Sequence, residues 1–238
     1  LSYATQISSM IDVVVVGNLT IYLYPKITKR IKESGYQSQF WMNSALFHAI
    51  TCLISAGFLT VGQDCVKLLF ERGAFTADAT RMVFLGAAIY VMGQQTGVIR
   101  DLIYRYFYAC GDTKTPGTNS IIVSVLNITI SLLLVKMIGF YGIIIGTVAA
   151  SAISMTIVFI RFGKKIGFQE KVAKILGRYM ITFGVFVATV VVVELTKKLL
   201  GIENDILSVL IFGVETVVIF MILLWLFNRK TVESVKKL

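Results

Sequence analysis

Seven apolar runs of about 20 residues or more recur along this 238-residue chain, each long enough to cross roughly 30 Å of hydrocarbon as an α-helix. A membrane-crossing strand needs only about 10 residues and alternates apolar with polar positions, so the pattern excludes a barrel. It equally excludes a water-soluble domain. Hydrophobic residues make up 56% of the chain and charged residues 15%, at a mean hydropathy of +0.80, where soluble domains carry roughly 25% charge. The fold class is an all-α integral membrane protein.

The expected spans cover residues 3–24, 40–62, 76–109, 118–138, 141–162, 179–200 and 206–227. Pro25 and a basic stretch with Lys26, Lys29, Arg30 and Lys32 close the first. Residues 66–75 alternate charged and apolar positions at helical spacing and are expected to lie in the membrane interface. Three regions follow: a bundle of five spans over 1–162 with a motif region at 66–116, a basic connector at 163–178, and a final helix pair with its tail at 179–238. If the spans alternate, 17 of the 23 Lys and Arg residues fall on one side and 6 on the other. Such loops favour the cytoplasm, which puts the C-terminus inside and Leu1 outside. The net charge of +10 then matches an anionic inner leaflet. No nucleic-acid partner is expected, because the basic residues are spread over four loops. Leu1 opens within an apolar run without a signal peptide or an initiating Met, so upstream sequence is expected to be missing.

Ionisable groups inside hydrocarbon cost roughly 3 kcal/mol each at a helix centre, so they face a cavity or a partner. Asp12 in the first span and Glu215 in the seventh are such groups and are candidate ion or proton sites; the plain alternative is a buried acid bonded to a neighbouring helix. His48 reads first as a hydrogen-bonded interior residue and second as a proton relay. Cys52, Cys65 and Cys110 lack CxxC spacing and read as two core residues and a loop thiol. No zinc-protease, phosphate-loop or nucleophile-elbow motif occurs, so no catalytic residue, cofactor or metal is expected.

The third span is too long for one crossing: 76–109 as continuous helix would measure roughly 50 Å. Gly93 and Gly97 flank Gln94, Gln95 and Thr96 within it, marking a bend or a close helix approach. Beyond them lie Arg100, Asp101, Tyr104, Arg105 and Tyr108. Asp101 with Arg105, and Arg100 with Tyr104, have the four-residue spacing of helical neighbours. Arginine at a cytoplasmic mouth suits a phosphate through bidentate hydrogen bonds, although an ordinary juxtamembrane basic cluster has the same composition. Gly142 and Gly146 form a GxxxG packing pattern.

LFERGAF at 69–75, RYFYA at 105–109, DTKTP at 112–116 and the Leu126, Asn127, Ile128 triplet resemble, in order and spacing, the MurJ/MviN family of lipid II flippases. That family belongs to the multidrug/oligosaccharidyl-lipid/polysaccharide exporter superfamily. The resemblance implies fourteen helices in two lobes around a central cavity, with this chain as the C-terminal lobe. It implies that the last two helices form a groove for a polyprenyl tail while a sugar-pyrophosphate headgroup passes through the cavity. The implied partners are a lipid-linked glycan, the phospholipid bilayer and an absent N-terminal lobe, in the bacterial cytoplasmic membrane during peptidoglycan synthesis. Gln6, Asp12, Arg100, Asp101, Arg105, Tyr108 and Asn127 are the candidate substrate-binding or gate residues. One departure stands out: many members open the first span here with a YADRL-like run, whereas this chain has YATQI at 3–7, placing Thr5 and Gln6 where an acid and a cation stand. Either the cation comes from the other lobe or the cargo is another lipid-linked glycan. A drug or cation antiporter of the same superfamily would rest on Asp12 and Glu215. A seven-span receptor shares only the span count and the sidedness of the termini.

Overall fold

The computed structural model describes residues 2–13, 17, 21, 25, 28–33, 36–73, 75–202, 204–229 and 231. The helices longer than a single turn or two are α1 (Ser2–Asp12), α2 (Tyr36–Phe70), α3 (Ala77–Ala109), α4 (Lys114–Ile138), α5 (Phe140–Lys165), α6 (Val172–Leu200) and α7 (Asp205–Phe227). The last six are long and apolar enough to cross a membrane. Most of residues 14–24, the second half of the first expected span, lie outside the described residues.

Two boundaries differ from expectation for one reason. In hydrocarbon a backbone that leaves the helix strands its N–H and C=O groups, so helices run on until water can take over. Accordingly α2 does not stop at Gly62 but continues to Phe70, absorbing half of the expected interfacial segment. The expected connector at 163–178 shrinks likewise: α5 reaches Lys165 and α6 starts at Val172.

Helix ends carry the chemistry they need. Thr76 caps α3 by accepting from the Ala79 amide, and Thr80 donates to Glu71 across the loop at 2.7 Å. Asp112 stands before α4 and accepts from the Thr115 amide at 2.9 Å and from its hydroxyl at 2.7 Å. Pro116 sits in the first turn, where no intrahelical N–H is missed. The hairpin between α4 and α5 turns at Gly139 with φ +61°, open to glycine at little cost. A Cβ on Gly142 would lie 2.4 Å from the Leu134 backbone, and one on Gly146 2.4 Å from Ser131 Oγ, so the GxxxG pair lets α5 lie directly on α4.

The bundle has two ends. At one, Gln37 of α2 donates to the Gly167 carbonyl at 3.0 Å, Lys165 pairs with Asp112, and Asn228 after α7 donates to Thr182 of α6 at 3.0 Å. At the other, Asp64 and Lys67 of α2 meet Lys197 of α6 and Asp205 of α7, while the Tyr3 ring packs on Phe70 and Phe75. An aromatic core of Phe40, Trp41, Tyr106, Phe107 and Phe162 fills the first end between α2, α3 and α5. A second core of Ala49, Cys52, Ala56, Phe186, Phe220 and Leu224 joins α2 to α6 and α7. α4 is the exception: none of its apolar window is buried, and only Thr115, Pro116 and Asn119 near its start are enclosed.

Candidate functional site

α3 runs helically through Gly93 to Gly97, and close approach is what its glycine provides. A Cβ on Gly93 would stand 2.6 Å from Val148 of α5, whereas Gly97 faces open space. The two glutamines between them tie α3 in opposite directions. Gln94 donates to the Ser8 carbonyl of α1 at 3.0 Å and lies within 3.1 Å of its hydroxyl. Gln95 donates to Ser55 of α2 at 2.7 Å and accepts from the Cys52 thiol at 3.0 Å. Buried amides bonded across helices in this way are satisfied, and they fix the rotation of α3 about its axis.

Between α1, α3 and α5 this arrangement leaves an open cavity of about 350 Å³. Its polar wall consists of Ser8, Gln94, Arg100, Asp101, Thr147 and Ser151. Arg100 is its focus. The guanidinium Nε donates to Asp101 at 3.0 Å, Nη1 donates to Ser151 Oγ at 3.1 Å, and the group lies 5.9 Å from the centre of the Tyr104 ring. One carboxylate and one hydroxyl leave part of the five-donor fork for an acceptor from outside the chain. One turn further, the Asn119 amide donates to the Tyr104 hydroxyl at 2.8 Å and to Ser154 Oγ at 2.7 Å, bracing α3, α4 and α5 behind the arginine.

A second cavity of about 400 Å³ lies on the other side of Val148, the one residue lining both. It opens between α2, α3, α5 and α6 and is walled by Met92, Met155, Phe159, Leu176, Met180 and Phe183. His48, Gln95, Thr96 and Tyr179 are the polar residues of its lining, with the Tyr179 hydroxyl donating to Ser44 at 2.9 Å. A polar and an apolar compartment therefore meet at one side chain.

Of the residues expected at a site, Arg100 and Asp101 line the polar cavity, and the partner the structure gives Asp101 is Arg100. Asn127 stands behind the wall, accepting from Ser131 at 3.0 Å and from the lining Thr147 at 3.2 Å. Gln6 is exposed on α1 and lines neither cavity. Arg105 is half-buried and Tyr108 exposed on the last turns of α3, again without lining either cavity. Glu215 is half-buried on α7, which packs on α2 and α6, and it lines neither cavity. The Asp12 side chain lies outside the described residues. Ser8, Thr147 and Ser151 were not among the expected site residues. The signal for two of them is present in the sequence: Thr147, Ser151 and Ser154 repeat at the four- and three-residue spacing of one face on an otherwise apolar helix.

At the basic end, hydrogen bonds from Lys165 and from Thr115 hold the Asp112 carboxyl well below the ordinary carboxylate range. DTKTP is thus a fixed joint between the start of α4 and the end of α5.

Comparison with known proteins gives one answer. The sequence profile described as "Lipid II flippase MurJ" matches residues 1–227. A probable lipid II flippase MurJ of Synechocystis is 38% identical over 92 residues, 39% of this chain and 17% of that protein. One from Rickettsia prowazekii is 25% identical over 154 residues, 63% of this chain and 30% of that protein. A solved structure titled "Lipid II flippase MurJ, inward closed conformation" superposes with a TM-score of 0.78 at 18% identity, covering 97% of this chain and 48% of that one, and so shows the shared fold. The chain thus spans about half the length of that solved protein, and the matched segments cover less than a third of either curated relative.

Proposed function

The chain belongs to the lipid II flippase MurJ family, and from that premise we propose that it forms one lobe of a transporter carrying a lipid-linked glycan across the bacterial cytoplasmic membrane for cell-wall synthesis. The observation that carries the reading is the pair of cavities meeting at Val148, one lined by Arg100, Asp101 and Ser151 and the other by methionine and phenylalanine. A lipid-linked glycan has the same division: a charged, sugar-bearing head that hydrocarbon rejects and a long apolar tail. The remaining N–H groups of the Arg100 guanidinium donate to phosphate oxygens, which supplies the positive charge that Gln6 does not. The tail follows the apolar faces of α6 and α7. The opposite wall of the path comes from a complementary lobe, and rocking of the two lobes exposes the polar cavity to each membrane face in turn. No covalent step is needed. The C-terminal, basic end of the bundle faces the cytoplasm.

The test is translocation of lipid-linked glycan by the full-length protein carrying Arg100→Ala or Ser151→Ala. Loss of a charge-assisted contact to phosphate predicts a fall of tenfold or more for Arg100→Ala, since such bonds contribute about 1.5–3 kcal/mol. Ser151→Ala removes only one of the bonds that aim the guanidinium, and a smaller fall is expected. Wild-type rates for both would overturn the assignment.

A further inference from the structure

At the basic end, the start of α4 and the end of α5 surround a depression of about 300 Å³ lined by Lys114, Thr115, Thr118, Arg161, Lys164 and Lys165. Four of these six side chains are cationic. One carboxylate, Asp112, reaches them: it takes a hydrogen bond from Lys165 at 2.8 Å and one from the Thr115 hydroxyl at 2.7 Å. Arg161 Nη1 donates to the Thr115 carbonyl at 3.4 Å and Lys165 Nζ to the Thr115 hydroxyl at 2.5 Å, which braces the walls against each other. Lys114 and Lys164 are exposed and make no ion pair among the described residues. Like charges gathered in a braced hollow repel one another until an anion enters.

What distinguishes this hollow from an ordinary juxtamembrane cluster is what lies beneath it. Lys114, Thr118, Ile121, Val125, Ile128 and Leu132 follow one another at alternating spacings of four and three residues, so they form a single stripe down α4. The four apolar members are each more than half exposed. On α5, Ile153 and Ile160 lead up to Lys164 in the same way, also exposed. The stripe is cationic at the top, hydroxyl-bearing next, and apolar for the rest of its length.

We propose that this cradle holds the phosphate headgroup of an anionic membrane phospholipid, with its acyl chains along the stripe on α4. The apolar stripe decides against a free phosphate, which would gain nothing from it. The cradle shares no lining residue with the polar cavity, and Arg161 lies about 15 Å along α5 from Ser151 at 1.5 Å per residue. It is therefore separate from the transport path, and its failure would leave the transport reading standing.

The experiment is native mass spectrometry of the full-length protein in neutral detergent, titrated with phosphatidylglycerol or with phosphatidylcholine of the same acyl chains. Phosphatidylglycerol should be retained at least about tenfold better, given about 1 kcal/mol for each Lys or Arg near an anionic lipid surface. Lys114→Gln with Arg161→Gln and Lys164→Gln should lose about tenfold of that retention. Lys136→Gln with Lys198→Gln, at the other end of the bundle, should lose none. Because Arg161 also braces the fold, the double variant Lys114→Gln with Lys164→Gln is measured beside it and should lose at least about threefold. Equal retention of the two lipids, or wild-type retention by the double variant, overturns the proposal. So does displacement of the lipid by millimolar inorganic phosphate, which would mark the hollow as a site for a free anion.

Discussion

At position 93 a hydrogen atom in place of a methyl group sets the distance between α3 and α5. A methyl there would sit 2.6 Å from Val148 Cγ2 and 3.0 Å from Cγ1, and a valine on a helix has essentially one χ1 rotamer into which it can retreat. Gly93→Ala gains about 1 kcal/mol of helix propensity, but forcing the contact apart costs about 1–3 kcal/mol, so overpacking wins. The variant should melt several degrees below the wild type in detergent, and adding Val148→Ala should recover most of the loss. A thermal shift that leaves Gly93→Ala at or above wild type would mean that the helices separate freely here. The same residue shows what sequence could and could not give. Glycines beside polar residues announce close approach, yet nothing in the chain's order says that Val148 is the neighbour. Arg100, which lines the polar cavity, was legible as a cationic site candidate because its chemistry travels with its side chain. Its partner Ser151 was not, because helical spacing rules relate residues only within one helix.

The helix pair α6 and α7 is joined to α2 unequally along its length. One turn before Asp64 on α2, Thr60 is hydrogen-bonded to Thr216 of α7 at 2.9 Å, both buried. At the less basic end Asp64 accepts from Lys197 at 2.7 Å and from Ser208 at 2.6 Å, so one carboxylate holds both helices of the pair. Beside it, Lys67 and Asp205 form a more exposed pair. Removing Asp64 strands a partly buried ammonium, with a cost of about 1–3 kcal/mol. Removing Lys67 costs about 1 kcal/mol or less, as exposed pairs do. Asp64→Ala should therefore lower the melting temperature more than Lys67→Ala, and hydrogen exchange should quicken at the end of α6 and the start of α7. The reverse order of the two variants would contradict this account. Sequence hydropathy found every one of these helices but not this fastening, because Asp64 lies beyond Gly62, where the apolar run weakens and the expected span ended. The helix continues because its backbone has no other hydrogen-bonding partner at that depth.

At the scale of the molecule, the apolar runs carried the fold class outright, since a helix needs only its own length of hydrocarbon-compatible sequence. The cavities were not legible, because each is made by helices distant in sequence. Sidedness falls between the two. At the end where α4 starts and α5 stops, Lys and Arg outnumber Glu33, Asp112 and Glu170 several-fold among the described residues. At the other end Asp64, Glu71, Asp78, Glu194 and Asp205 nearly balance Lys67, Arg72, Arg81, Lys136, Lys197 and Lys198. The excess of Lys and Arg at the first end predicts that this end faces the cytoplasm. Native cysteines make this testable without new reporters. Cys110 is exposed at the basic end, Cys52 is buried, and Cys65 is half-buried towards the other end. With Cys65 and any cysteine outside this chain replaced by serine, a membrane-impermeant maleimide should leave the protein unlabelled in intact cells and should label Cys110 once the membrane is opened. Partial desolvation and the Asp112 carboxylate push the Cys110 thiol above its ordinary value, so the reaction is run at mildly alkaline pH. Labelling of Cys110 in intact cells would turn the whole bundle over, and with it the leaflet in which the α4 cradle meets its lipid.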